Sequence, residues 1–144
     1  MSTIQDWNDL SFNTDTRWSD KLPVGFDPAE LLEFNKNPGL GIRALHEEGI
    51  TGAGVGIAII DQALLLDHEQ YKEHLMFYER IHCSDDTSQM HGPAVASIAV
   101  GKDIGVAPGA KLYYIAETGG HWTDEEFEDD YSVIADCILR ILEL

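Results

Sequence analysis

The chain has 144 residues, 44% of them apolar, enough for one domain that buries about two-thirds of its unfolded surface. Nine Lys and Arg against 26 Asp and Glu leave a net charge of −17, which repels phosphate backbones and anionic lipid, so neither nucleic acid nor a membrane is an expected partner. No apolar run approaches the ~18 residues of a membrane helix, the first residues lack the basic start and apolar core of a secretory signal, and Cys83 and Cys137 form neither a CxxC motif nor a disulfide framework, so a reduced, cytoplasmic setting is expected.

Residues 1–24 are polar, acidic and dotted with Trp, and read as an N-terminal arm. Two short helices are expected in FDPAELLEFNKNPGLGIRALHEEGI. Asp27 is placed to cap the first, with Pro28 at its opening position. Pro38-Gly39 separates the two, and Gly49 ends the second. Gly52, Gly54 and Gly56 mark a tight turn into the apolar run 55–60, which has the length and pattern of a parallel strand covered on both faces. Asp61 stands at its end.

LMFYERIHC, residues 75–83, reads as a second strand, and CSDDTSQM as a polar loop. HGPAVASIAVG is a helix of small residues, in which Pro93 fits only within the first turn. KDIGVAPGA is a connection punctuated by Gly and Pro, KLYYIA a buried strand, and TDEEFEDD an acidic loop. In YSVIADCILRILEL, Ile134, Cys137, Ile138, Ile141 and Leu142 recur at helical spacing. Strands alternating with helices indicate an α/β domain. The last helix stops at Leu144 with no Gly, Asn or Pro after it, so a domain interrupted part-way is expected.

An acid at a strand end can cap a turn, hold a metal, bind a ribose or orient a catalytic base. The ribose reading needs a GxGxxG turn between strand and helix, whereas these glycines precede the strand and Ile57 fills the third glycine's place. The metal reading would gather His68, His74, His82, Cys83 and His91, which show neither HExxH nor CxxC spacing. Nothing matches a twelve-residue calcium loop, although calcium held by loop carboxylates fits the acidity and is the one cofactor left open. The fourth reading pairs Asp61 with His91. A nucleophilic hydrolase needs a base, and the base needs a carboxylate to fix its tautomer. Strand carboxyl ends and helix amino ends share one edge of a parallel sheet. Gly92, Ala94, Ala96 and Ser97 would let the following helix pack closely. The plainer alternatives are a capping Asp and a polar helix entrance.

GITGAGVGIAIID resembles the strand bearing the catalytic aspartate of subtilisin-like serine proteases. HGPAVASIAVG and IGVAPGAKLYYI resemble that family's catalytic-histidine helix and the Gly-Val-Ala-Pro turn leading to its next strand. The blocks stand in family order across about residues 49–116, and the helix at 130–144 is similar to the next family element. The resemblance implies a subtilisin-like three-layer α/β fold with a mainly parallel sheet. Residues 25–144 would be the N-terminal part of such a peptidase domain, ending after about its first half.

The implied activity is serine endopeptidase, with Asp61 as the orienting carboxylate and His91 as general base and then acid. Gln62-Ala63 departs from the family's small hydroxyl residue followed by Gly, and a positive φ at that turn would strain Ala63. Pro93 to Ser97 depart from the family's Thr-His-Val-Ala-Gly. The family serine lies in a Gly-Thr-Ser-type turn, which none of Ser2, Ser11, Ser19, Ser84, Ser88, Ser97 and Ser132 occupies. The chain alone is therefore expected to be inactive.

AETGGHWTDEEFEDD follows the strand beside which the family's substrate adds as a further strand. Gly119 and Gly120 are expected to admit a peptide or protein substrate, and the acids of 124–130 either favour basic peptides or simply solvate the loop and the helix start. The alternative function is non-catalytic binding of a peptide or partner. An uncovered sheet edge and an apolar terminal helix predict self-association.

Overall fold

The computed structural model describes residues 10, 12, 16–36, 40–84, 87–122 and 126–144. The chain divides into two compact units, Met1–Arg43 and Ala44–Leu144, so the first takes in the helix after the polar arm as well as the arm itself. The Pro38-Gly39 break, Ser2, Ser11, Asp124 and Glu125 lie outside the described residues.

In the first unit, helix α1 (Pro28–Asn35) starts as the sequence predicts. Asp27 Oδ1 accepts from the Ala29 and Glu30 amides at 2.9 and 3.2 Å, and Pro28 stands where no amide is needed. Helix α2 (Ile42–Glu47) crosses the boundary between the units. Gly49 ends it at φ 83°, with paired bonds from Gly49 N to His46 O and from Ile50 N to Leu45 O. That pattern needs a left-handed residue, which Gly supplies without a Cβ clash.

The second unit is built on three parallel strands: β1 (Gly56–Asp61), β2 (Leu75–Arg80) and β3 (Lys111–Ala116), in the order β1-β3-β2. The α/β expectation holds. Helix α3 (His91–Val100) packs on one face, where Ala96 and Val100 meet Leu112 and Tyr114 of β3 and Ile59 of β1. Helix α4 (Tyr131–Leu142) covers the other, where Val133 and Cys137 meet Ile115 of β3 and Ile60 and Phe77 of the outer strands. Alternation along β3 sends Leu112, Tyr114 and Ala116 to one core and Ile115 to the other.

The strand covered on both faces is β3, not β1. In the run 55–60, Ile59 alone is buried and Val55 is 51% exposed, whereas Leu112 and residues 114–116 of β3 are fully enclosed. An apolar run reports what a strand can bury, while position in the sheet decides what it does bury. β1 lies at the edge with one neighbour.

A second correction concerns the acidic segment. Gly120–Trp122 (β4) and Phe127–Asp129 (β5) pair as an antiparallel hairpin where a loop is expected. Strands of three residues, GHW and FED, are too short to show an apolar alternation. Asp130 then caps α4, its Oδ1 accepting from the Ser132 amide at 2.9 Å and the Ser132 hydroxyl at 2.6 Å. Of the predicted apolar face of α4, Cys137 is buried, but Ile138 and Leu142 are 48% and 77% exposed. The helix seats its 133/137/141 stripe instead. Among the described residues no helix is long and apolar enough to cross a membrane.

Candidate active site

Asp61 is the last residue of β1 and His91 the first of α3. The fold brings them together. His91 Nδ1 lies 2.8 Å from Asp61 Oδ1 and 3.0 Å from Oδ2, so both carboxylate oxygens face one ring nitrogen. The carboxylate is 14% exposed and the imidazole 64%. A carboxylate accepts in this contact, so the bonded proton belongs to Nδ1, and the lone pair of the neutral ring is the one on Nε2. No partner for Nε2 is found among the described residues. This is the arrangement of a base held in one tautomer and open to solvent.

Several local features hold it there. Asp61 is in register with Ala116, and the Glu117 amide donates to Asp61 O at 2.9 Å, continuing the β1–β3 ladder past the strand end. The Gln62 amide donates to Asp61 Oδ1 at 2.7 Å, tying the carboxylate to its own turn. The turn needs no left-handed residue: His82, at φ 50°, is the single non-Gly position of positive φ among the described residues. Ala63 is therefore unstrained, and it is buried. Its carbonyl accepts from the Gln89 amide at 2.9 Å, which draws the approach to α3 against the turn.

Gly92 gives the closest contact between α3 and the sheet. A Cβ there would lie 2.4 Å from Tyr114 Oη and 2.5 Å from Gln62 O, so only glycine lets the first helical turn settle beside Asp61. The small-residue reading of this helix holds at this contact, and Ala96 and Ser97 are buried as well. Tyr114 is fully enclosed, and its hydroxyl donates to Gln62 O at 2.6 Å. Burial, with the nearby Asp61 charge adding, pushes the Tyr114 phenol above its usual range. Pro93 sits in the first turn of α3, where an amide would have no helical partner.

None of the described serines hydrogen-bonds to His91. Ser84 Oγ faces Thr118 Oγ1 at 3.4 Å, Ser132 bonds Asp130, and Ser97 is buried in α3. Gly119 and Gly120 have causes within the chain. Gly119 takes φ 76°, with its amide on the Glu117 carboxylate. A Cβ at Gly120 would lie 2.0 Å from Glu128 O, so the β4–β5 pairing itself requires that glycine.

A second histidine–acid pair escapes sequence reasoning, because its members are 54 residues apart and carry no motif. His82 Nε2 meets Asp136 Oδ2 at 2.9 Å, with the side chains 55% and 56% exposed, as an ordinary surface pair. His82 also lines a cavity of about 500 Å³ at the carboxyl end of β2, with Arg80, Cys83, Gly120 and Asp130. Among the described residues no three His, Cys, Asp or Glu side chains gather closely enough to hold a metal ion, and the loop acids Asp85, Asp86, Asp124 and Glu125 lie outside the described residues. No family model matches the chain, and no curated protein matches it.

Proposed function

We propose that this chain carries the acid and base of a subtilisin-like serine endopeptidase without its nucleophile. The observation that carries the reading is the two-oxygen contact of Asp61 with His91 Nδ1 at the carboxyl edge of a parallel sheet, with Nε2 open. In such a site Nε2 removes the proton of an attacking hydroxyl as that oxygen adds to a peptide carbonyl. The mostly buried Asp61 stabilises the imidazolium, and Nε2 then returns the proton to the leaving amine. The acyl donor is a peptide or protein laid along the segment after β3, beside Gly119 and Gly120. Cys83 and Cys137, neither in a disulfide, fit a reducing compartment such as the cytoplasm.

One observation favours a second, non-catalytic reading: no described serine reaches His91, so the chain by itself would bind a peptide and leave it intact. A fluorophosphonate probe and the transcript beyond codon 144 separate the two. An in-frame continuation with a Gly-Thr-Ser-type turn, whose product labels at that serine and loses labelling on His91→Ala, supports the protease. A stop codon after a folded monomer that binds peptides and resists the probe supports the binding module. Labelling of a serine within residues 1–144 would overturn the account of the missing nucleophile.

A further inference from the structure

We infer that Tyr114 is a positioning residue for the Asp61–His91 pair, acting through the Gln62 peptide and the first turn of α3; the inference rests on that pair being the working base. Gln62 is held at both ends. Its carbonyl accepts from Tyr114 Oη at 2.6 Å, and its amide donates to Asp61 Oδ1 at 2.7 Å. A shift of this one residue turns the carboxylate that orients His91. The same two atoms, Tyr114 Oη and Gln62 O, form the seat that Gly92 touches, and Gly92 follows His91 in the chain. The hydroxyl thus sets the carboxylate from one side and the imidazole from the other.

Tyr114 can do this because it does not move. It lies on the central strand, is fully enclosed, and stacks on Tyr78 with ring centroids 6.0 Å apart and planes 24° from parallel. Its raised phenol pKa keeps the hydroxyl a donor throughout the working range of a histidine base. Tyr71 supplies a matched comparison: it is equally enclosed, and its hydroxyl donates at 2.8 Å to Leu65 O, a carbonyl with no bond to Asp61.

The test is NMR of the full chain labelled with ¹⁵N-histidine, reading the His91 Nδ1–H signal and its exchange with solvent. Tyr114→Phe is expected to speed that exchange by about two- to ten-fold, the range set by losing one hydrogen bond, and to lower the share of the Nδ1–H tautomer. Tyr71→Phe is expected to leave both unchanged at a similar loss of stability. Unchanged exchange in Tyr114→Phe, or an equal change in Tyr71→Phe, would overturn the inference. Asp61→Ala, which removes the acceptor, separates the layers. If it abolishes the signal while Tyr114→Phe does nothing, the pair stands and Tyr114 has no positioning role. If it leaves the signal intact, the pair itself is refuted and the inference falls with it. Should Tyr114→Phe fail to fold, 3-fluorotyrosine at position 114, a stronger donor of the same shape, is expected to slow the exchange, and no change there overturns the inference.

Discussion

Replacing Gly92 with alanine adds one methyl group at the tightest point of the site. That carbon would stand 2.4 Å from Tyr114 Oη, 2.5 Å from Gln62 O and 3.3 Å from Gln62 C. Two of the three are backbone atoms and the third belongs to an enclosed ring, so nothing can yield by a simple side-chain rotation. Overpacking of this kind costs about 1–3 kcal/mol. Alanine returns at most ~1 kcal/mol of helix propensity, less in a first turn, which leaves a net loss of about 0.5–2 kcal/mol. With a urea slope of ~1–2 kcal/mol/M, the unfolding midpoint followed by circular dichroism falls by about 0.25–2 M. Because the displaced atoms hold Asp61, the His91 Nδ1–H signal should change as well. Adding Tyr114→Phe removes one of the clashing atoms, so the double variant should lose at least ~0.5 kcal/mol less than the sum of the singles. A Gly92→Ala protein that unfolds at or above the wild-type midpoint refutes so tight a seat.

Burial pushes the Tyr71 phenol up to about 12, from an ordinary value of 10.0. Its neutral form is favoured by folding, so the stabilisation is complete below pH 10 and lost as pH rises from about 10 to 12, a loss on the order of a few kcal/mol. Urea unfolding from pH 9 upward should show wild type losing stability more steeply than Tyr71→Phe, and parallel curves would count against it. Asp130→Ala removes the α4 cap and should cost about 1 kcal/mol; an unmoved urea midpoint would show the cap to be idle. Cys83 is half-buried and Cys137 enclosed, with burial raising the Cys137 thiol. An aromatic disulfide reagent should therefore count one thiol in the native protein and both in denaturant, and two native thiols would contradict the packing of α4.

Elements that announce themselves by apolar patterning were legible in the sequence: β1, β3, α3 and α4 fall where the runs and periods place them, and β2 starts as expected at Leu75 but stops at Arg80, short of Cys83. Asp27 before Pro28 and Gly49 after α2 were legible because cap chemistry is local. Which strand is central was not, since 55–60 and 111–116 are both apolar hexads and only pairing ranks them. The β4–β5 hairpin was hidden for the opposite reason, its stability lying in backbone bonds that side-chain composition does not report. Asp61 and His91 were candidates from their places at a strand end and a helix start, and the structure joins them. The link from Tyr114 to Gln62 spans 52 residues and uses a backbone carbonyl, so no sequence pattern encodes it.

The strand order β1-β3-β2 also governs when the sheet can exist during synthesis. Among the described residues the outer strands do not pair with each other, and each pairs with β3, which leaves the ribosome last of the three. A nascent chain that has emerged as far as residue 110 already holds Asp61 and His91, but both outer strands are unpaired templates, open to any passing strand. Closing the sheet then joins Gly56 to Lys111 and its successors across a sequence separation of 55, a long-range pairing of the slow kind. The Asp61–His91 contact is thus completed by the last of the three strands to arrive, and the interval before its arrival leaves two apolar strand edges uncovered.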